Sequence, residues 1–312
     1  PVTDGPLVSI LMPAWNAQET VGYAIRSILS QTWRNLELLV VDDASDDGTW
    51  QILRKFAESD PRVRIFRNAV NVGPYVSKNI AVSQAKGDWI TGPDADDWAH
   101  PERIERQVGF CREKNIPACM SGMVRVAANG QFVRLSKAAD FFYDGACRGA
   151  FISLMVHAQF FHDLLGFWDS VRVGGDSELL RRVERLLGRT VPQLKTVTML
   201  CLDNPDGLTN HATLGHSDAG VSPHRKAYKK NYTTLHSGIN RLNSLFEFPP
   251  KARSFDAPAE MLNPPGQIEA LVRAYRENGV TVARDIVADV TIATDLRFPG
   301  GNASSSMDEI AF

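Results

Sequence analysis

Two short apolar runs constrain what this chain can fold into more than anything else in it. Residues 7–12 read Leu-Val-Ser-Ile-Leu-Met and residues 36–41 read Leu-Glu-Leu-Leu-Val-Val, each with the length of a buried strand. Between them Val21, Ile25, Ile28 and Leu29 recur at three- and four-residue spacing, the mark of a helix that ends near Gln31 and Thr32. Strand, helix, strand within about 35 residues predicts a βαβ unit, and with it a parallel sheet buried on both faces. Ligands of such sheets sit outside the carboxyl ends of the strands. The first run breaks on Pro13-Ala14-Trp15-Asn16 and the second on Asp42-Asp43, so one rim gathers an aromatic side chain and a carboxylate pair.

The alternation continues. Helices are predicted over 49–56 and 75–84, strands over 62–66 and 88–91, and a helix opens at Pro101 and runs to about Lys114. The order βαβαβαβα is half of a doubly wound α/β fold. The pattern then changes: strands over 118–126 and 131–135 joined at Ala128-Asn129-Gly130, a strand over 151–156, helical patterns over 157–165, 177–187 and 223–248, and a strand over 193–202. Pro249-Pro250, Pro258 and Pro264-Pro265-Gly266 read as a linker. A helix over 267–278 and a strand over 288–293 read as the start of a second α/β unit, too short to be complete. The expected organisation is one domain over 1–248, with a nucleotide-binding half at 5–115 and an acceptor half at 116–248. A linker at 249–266 and a truncated second domain at 267–312 follow. An opening on Pro1 rather than Met fits a piece of a longer protein.

Composition removes some functions. A net charge of −2 argues against a nucleic-acid partner, whose footprint is a basic excess. No 18 consecutive apolar residues predict a transmembrane helix, and the first ten residues have neither the basic start nor the apolar core of a signal peptide. The four cysteines are scattered, with no Cys-x-x-Cys, as expected of reduced thiols in the cytoplasm.

The chemistry is carried by a second acidic strand end. Asp94, Asp96 and Asp97 follow the fourth predicted strand as Asp42 and Asp43 follow the second. Five carboxylates at one rim repel one another unless a cation or hydrogen-bond donors compensate. Mg²⁺ and Mn²⁺ prefer oxygen ligands, and Mg²⁺ is commonly held by one or two carboxylates plus substrate phosphates. The pattern therefore predicts a metal–diphosphate site. Asp46 and Asp47 read differently, as carboxylates at the positive end of the 49–56 helix.

These motifs, from Val8 to about Cys111, resemble those of the inverting family 2 glycosyltransferases. The resemblance rests on Val-Ser-Ile-Leu-Met-Pro-Ala-Trp-Asn, Ser-Ile-Leu-Ser-Gln-Thr-Trp and Glu-Leu-Leu-Val-Val-Asp-Asp-Ala-Ser-Asp-Asp-Gly-Thr. Lys-Asn-Ile-Ala, Ala-Lys-Gly-Asp-Trp-Ile and Asp-Ala-Asp-Asp-Trp-Ala-His-Pro-Glu-Arg follow in order. It implies an α/β GT-A fold, the nucleotide-diphospho-sugar transferase fold, with a mostly parallel central sheet flanked by helices. It also implies a nucleotide-diphospho-sugar donor, usually a UDP-sugar, and Mn²⁺ or Mg²⁺. Pro13, Trp15, Asn16, Asp42, Asp43, Lys78, Asp94 and Asp96 then fall at the donor, with Trp15 against the base and Asp43 hydrogen-bonded to it. Asp94-Ala95-Asp96 matches the family's DxD motif, and Asp96 and Asp97 reach the ribose and the metal.

Inverting transfer also needs a base for the acceptor hydroxyl, and one carboxylate suffices. Val173-Gly174-Gly175-Asp176-Ser177-Glu178 resembles the family's later acidic motif. Asp176 is the candidate base, its rival role being a helix N-cap. Gly175 stands where many relatives carry an acid, which makes Glu178 a second candidate. The stretch 204–211 resembles a loop that closes over the donor, so that Thr209 and His211 touch phosphate or metal. Arg181-Arg182 and the later cluster Arg225, Lys226, Lys229 and Lys230 read as solvated helix faces, the cluster also as contacts for an acidic glycan. Residues 293–306 resemble the first strand, loop and helix of a GT-B glycosyltransferase, implying a further transferase domain in a longer parent that builds a polysaccharide.

The expected function is metal-dependent inverting transfer of a hexose or N-acetylhexosamine to a glycan or lipid-linked acceptor. The expected place is the cytoplasm, with peripheral association at the inner face of the membrane. A sugar-phosphate nucleotidyltransferase would show a Gly-rich, Arg/Lys-bearing loop after its first strand, which Pro13-Ala14-Trp15-Asn16 is not. A catalytically silent glycan-binding or scaffolding module is the alternative of another class. The presence of Asp43, Asp96 and Asp176 speaks against it.

Overall fold

The computed structural model describes residues 2–133, 147–205, 207–217, 220–241 and 243–280. Its first half follows the predicted alternation: β1 (Val8–Ala14), α1 (Val21–Leu29), β2 (Leu36–Asp42), α2 (Thr49–Ser59), β3 (Val63–Arg67), α3 (Pro74–Ser83) and β4 (Trp89–Thr91). β2, β1 and β3 are joined in parallel, and β4 adds in parallel to the other side of β1.

β1 is buried along its whole length because it feeds two cores. Val8, Ile10 and Met12 face one side, with Val21, Ile25 and Ile28 of α1 and Leu53 of α2. Leu11 faces the other, with Leu39, Val41, Val76 and Ile80. This period of two, apolar on both faces, is what a central parallel strand requires. The polar exceptions are satisfied in place. Ser9 Oγ donates to Glu37 Oε1 at 2.7 Å and accepts from the Gly87 backbone at 2.8 Å. Glu37 also takes Arg64 at 3.1 Å, so a buried carboxylate is paired as burial demands.

The second half mixes directions. β5 (Asp97–Ala99), α4 (Arg103–Lys114), β6 (Ala118–Val126), β7 (Arg148–Gly149), β8 (Met155–His157), α5 (Ala158–Phe160), α6 (Gly175–Leu187) and β9 (Gln193–Leu202) follow in order. β10 (His216–Ser217), β11 (Gly220–Val221), α7 (Pro223–Ser237) and α8 (Gln267–Glu277) complete the described elements. The main sheet runs β3-β2-β1-β4-β8-β6-β9-β5, with β7 on β6. It curls: Ala99 of β5, hydrogen-bonded at the far end to β9, donates its backbone N–H to Ser27 Oγ of α1 at 3.1 Å. The mostly parallel character holds in the nucleotide half; β8, β7 and β5 pair antiparallel.

Two local expectations differ and a third holds. The strand predicted over 151–156 is a 3₁₀ turn at Phe151–Ser153 followed by the short β8. The cause is Ser153, whose hydroxyl bonds the Ala150 carbonyl at 2.7 Å and so competes with a ladder. The helix predicted over 223–248 stops at Ser237 before Gly238, and the following chain turns Ile239, Phe246 and Phe248 inward. The hairpin at 128–130 forms, with Ala127 donating to Gln131 and Val133 to Arg125; residues 134–135 lie outside the described residues.

Residues 249–280, the described part of the segment expected as a linker and a second unit, pack on the elements before them. Met261 is buried among Val171, Val173, Tyr228 and Tyr232. α8 presents Ile268, Leu271, Val272 and Tyr275 as one stripe and buries them in the core shared by β1, β2 and α3. A Pro-rich stretch reads as a linker from composition, but here its apolar residues fill a surface that the first domain leaves open. The strand and loop expected over 288–302 lie outside the described residues. Among the described residues no helix is long and apolar enough to cross a membrane.

Candidate active site

The carboxyl ends of β1, β2 and β4 carry the predicted rim. Pro13 is buried next to Ala14, which closes β1, and Trp15 beyond it is 54% exposed, an indole face open to a ligand. Asn16 sits at φ 46°, a left-handed turn that asparagine tolerates. There it joins the two loops: its N–H donates to Ser45 Oγ at 2.9 Å and its Oδ1 accepts from Asp46 at 3.1 Å. Asp47 accepts from Gln18 at 3.1 Å and from Thr49 at 2.9 Å, so it holds the start of α2 as expected.

Asp42 and Asp43 are buried and differ in their partners. Asp43 is 2% exposed and accepts three N–H groups, from Asn68 at 2.7 Å, Val72 at 3.0 Å and Gly73 at 2.7 Å. Burial raises its pKa from the usual carboxylate value against those bonds and the charge of Arg172. Asp43 therefore fixes the 71–74 turn that launches α3, and about one of its four lone-pair directions is left. Asp42 accepts from Ser45 N at 3.2 Å, and Arg67 Nε stands 3.0 Å from its Oδ2 without the alignment of a hydrogen bond. That oxygen is buried and has no hydrogen-bond partner. Such an atom is costly unless a ligand completes it.

Lys78 projects from α3 to Asp94 at 3.1 Å and is almost fully buried. Asp96 is half-buried, and burial with the neighbouring Asp94 pushes its pKa up to about 6. Asp97 lies deeper, its Oδ2 accepting from Asp94 N at 3.3 Å. Burial and the Asp96 and Asp94 charges hold it well above the usual carboxylate range. Among the described residues no three Asp, Glu, His or Cys side chains converge on one point as a ready metal cage. An under-compensated Asp94/Asp96 pair fits the other mode, two oxygen ligands with the remaining positions left to diphosphate and water.

Asp176, on the first turn of α6, faces this rim from the acceptor half. Its Oδ1 accepts the Tyr75 hydroxyl at 3.0 Å and the Ser177 N–H at 2.8 Å. Burial and the Asp176 carboxylate push the Tyr75 phenol well above the usual tyrosine range, so it stays protonated and donates. Lys78, Asp176, Trp168, Thr91 and Gly92 line one small cavity of about 30 Å³, room for a water or two. Gly175 explains why no acid precedes Asp176: a Cβ there would lie 2.9 Å from the Tyr75 ring.

Three expectations are corrected. Glu178 is 0% exposed and chelated by Arg182 through two bonds of 2.9 Å, with His236 Nε2 also at 2.9 Å. Burial opposes its charge, but Arg182 and His236 outweigh it and lower the pKa. A carboxylate so enclosed cannot reach an acceptor, and Glu178 is a structural anchor. Arg182, expected on a solvated helix face, is fully buried with it. His211 accepts the Thr213 and Leu214 N–H groups at Nδ1, both at 3.2 Å. A neutral imidazole accepting at Nδ1 carries its proton on Nε2, so in this conformation neither nitrogen is a metal donor.

Sequence reading missed Tyr75, Asn68, Arg172 and Arg103. Arg172 holds Asn71 O at 3.3 Å and so braces the turn that Asp43 caps. Arg103 is fully buried under the acidic loop, its NH1 3.3 Å from Thr91 Oγ1. Burial lowers its pKa to about 10, opposed by Cys119 and Asp97. Only Tyr75 carried a signal, as the residue after Pro74 at a helix start.

A curled α/β sheet with a buried acidic strand end, a DxD turn and an exposed aromatic on one rim defines a GT-A fold. Residues 9–163 match the family described as glycosyl transferase family 2, and this stretch of chain belongs to it. An uncharacterised glycosyltransferase of Haemophilus influenzae is 36% identical over 111 residues, 36% of this chain and 44% of that protein. WfgD of Escherichia coli, a UDP-Glc:α-D-GlcNAc-diphosphoundecaprenol β-1,3-glucosyltransferase, is 36% identical over 130 residues, 42% of this chain and 50% of that protein. The matches thus span about half of these relatives. The fold is shared with residues 1–349 of TarS from S. aureus, solved with UDP-GlcNAc: TM-score 0.52, 18% identity, 63% of this chain and 58% of that one.

Proposed function

We propose that this chain transfers a sugar, with inversion, from a UDP-sugar to a glycan or lipid-linked acceptor, and that it uses Mn²⁺ or Mg²⁺. The observation that supports this best is that α3 links the two halves: its Tyr75 hydroxyl donates to the candidate base Asp176 at 3.0 Å, and its Lys78 pairs with Asp94 of the acidic rim at 3.1 Å. The donor reading draws on WfgD, named for UDP-Glc and a diphosphate-linked lipid acceptor, and on TarS, solved with UDP-GlcNAc. An acceptor of that kind brings the protein to the inner face of the cytoplasmic membrane, where it serves polysaccharide synthesis.

Trp15 stacks on the base, and the remaining lone pair of Asp43 accepts its imide N–H, with Asp42 beside it paired to Arg67. Lys78 holds Asp94 in place and offsets part of the rim's negative charge. Asp96 would hold the metal with Asp94 rather than with the expected Asp97, whose buried Oδ2 accepts from the Asp94 N–H; the metal when bound would neutralise charge on the leaving diphosphate. Asp176 takes the proton of the acceptor hydroxyl as its oxygen bonds to the anomeric carbon and the bond to diphosphate breaks. The Tyr75 and Ser177 donors fix the carboxylate for that transfer.

Isothermal titration of UDP with and without Mn²⁺, repeated with GDP, tests the donor. Metal-dependent UDP binding that is lost in Asp96→Ala is expected; donor hydrolysis surviving in that variant refutes the metal assignment. Asp176→Asn is expected to abolish transfer while UDP still binds, and transfer at the wild-type rate in it removes the base.

A further inference from the structure

The acceptor half carries two arginines that the donor site does not use. Arg125 lies near the end of β6 and Arg148 on β7. The strand register aligns them: Met123 opposes Arg148, Arg125 aligns with Cys201, and Cys201 opposes Asp97. Opposed residues, and residues two apart on one strand, share a sheet face. Arg125, Arg148, Cys201 and Asp97 therefore share a face, and Arg125 is near enough to Asp96 to draw its pKa downward.

The pair is poorly compensated. Arg125 NH1 meets Asp203 Oδ1 at 3.2 Å, and Asp203 is shared with Asn210 at 3.3 Å. No carboxylate of a described residue stands within ion-pair distance of Arg148. The Nε atoms of both arginines are closed off from solvent without a hydrogen-bond partner. Burial, with Arg125 adding its like charge, lowers the Arg148 pKa to about 10. Two half-buried guanidiniums beside each other repel, and an oxyanion shared by their outer nitrogens offsets that cost. Arginine forks suit phosphate oxygens in particular.

We propose that Arg125 and Arg148 form an anion subsite on the acceptor side of Asp96, which receives a phosphate group carried by the acceptor. This rests on the transferase reading above and deepens it: the acceptor is phosphate-bearing, either a lipid diphosphate or a phosphodiester-containing glycan.

The test is titration of inorganic phosphate into protein whose donor site is saturated with UDP and Mn²⁺, for wild type, Arg148→Gln, Arg125→Gln and Arg148→Lys. Wild type is expected to saturate, both Gln variants to bind at least tenfold more weakly, and Arg148→Lys to fall between. UDP affinity is expected to change less than twofold. The Arg148→Gln variant is expected to melt no lower than wild type, since a repulsion is removed; a purely structural arginine would lower the melting temperature. Competition by a short alkyl diphosphate or by a glycerol phosphate oligomer separates the two acceptor sources, and displacement by neither overturns the proposal. Equal phosphate binding in wild type and variants overturns it. So does a parallel loss of UDP affinity, which would assign the arginines to the donor diphosphate. Should wild type bind no UDP, the donor reading fails by itself, and Arg148-dependent phosphate binding measured without UDP still decides the subsite.

Discussion

Replacing Glu178 by Gln separates a structural carboxylate from a catalytic one. Glu178 and Arg182 are both 0% exposed, and Arg182 is held by Glu178, by the carbonyls of Leu165, Phe167 and Ser244, and by the Phe246 ring 3.7 Å from its guanidinium carbon. The substitution leaves Arg182 charged and without its counter-ion, a change that costs about 3–5 kcal/mol for buried pairs. At about 2–4 °C per kcal/mol for a chain of this size, the melting temperature falls by roughly 6–20 °C. Circular dichroism during a thermal scan reads the fall. UDP affinity at a temperature where the variant is folded stays within about twofold. The linkage has a definite sign: the folded pKa lies below the ordinary 4.5, so the stabilisation is present above that value and is lost as the pH falls through the folded pKa. Acidification below pH 4.5 should therefore lower the wild-type melting temperature more steeply than that of the variant. An unchanged melting temperature with abolished transfer would refute the reasoning and return Glu178 to the list of bases.

Trp15→Ala removes a stacking face of about 1–3 kcal/mol and should weaken UDP binding by roughly ten- to a hundredfold, read by calorimetry, with little change in stability. Tyr75→Phe deletes a hydrogen bond to a carboxylate, about 1.5–3 kcal/mol, and should lower kcat about tenfold or more while the UDP Kd stays constant. Gly175→Ala forces a methyl against the Tyr75 ring and should destabilise by about 1–3 kcal/mol in denaturant melts. In a Tyr75→Ala background most of that penalty should vanish, and additive effects would show that the contact is not its cause.

How much could be read beforehand differed by region. The nucleotide half was legible because β1 and β2 are apolar runs broken by one polar residue each, with a helix-period stretch between, and its acidic turns stand at strand ends. The acceptor half was less so. β5 and β7 are three and two residues long, and no periodicity shows in so few. Residues 151–156 look like a strand in composition, but the Ser153 hydroxyl diverts their backbone. At the site the sequence names carboxylates without telling which are committed to the fold. Asp176 and Glu178 are two residues apart, and a helix turns them to different surroundings: one toward the cavity with Lys78, the other into a buried charge network. The partners that decide this, Tyr75 and His236, are 101 and 58 residues away.

Tyr275 of α8 donates to Asn68 at 2.9 Å across 207 residues, and Asn68 donates to Asp43. The order of synthesis then matters. A ribosome adding about 5–20 residues per second delivers the brace roughly 10–40 s after the turn it secures. During that interval the apolar cluster that holds Leu39, Val41, Val76 and Ile80 lacks its members Ile268, Leu271 and Val272. The motif that marks the nucleotide half is therefore translated well before the residue that locks it, which gives chaperones a defined window on the nascent chain.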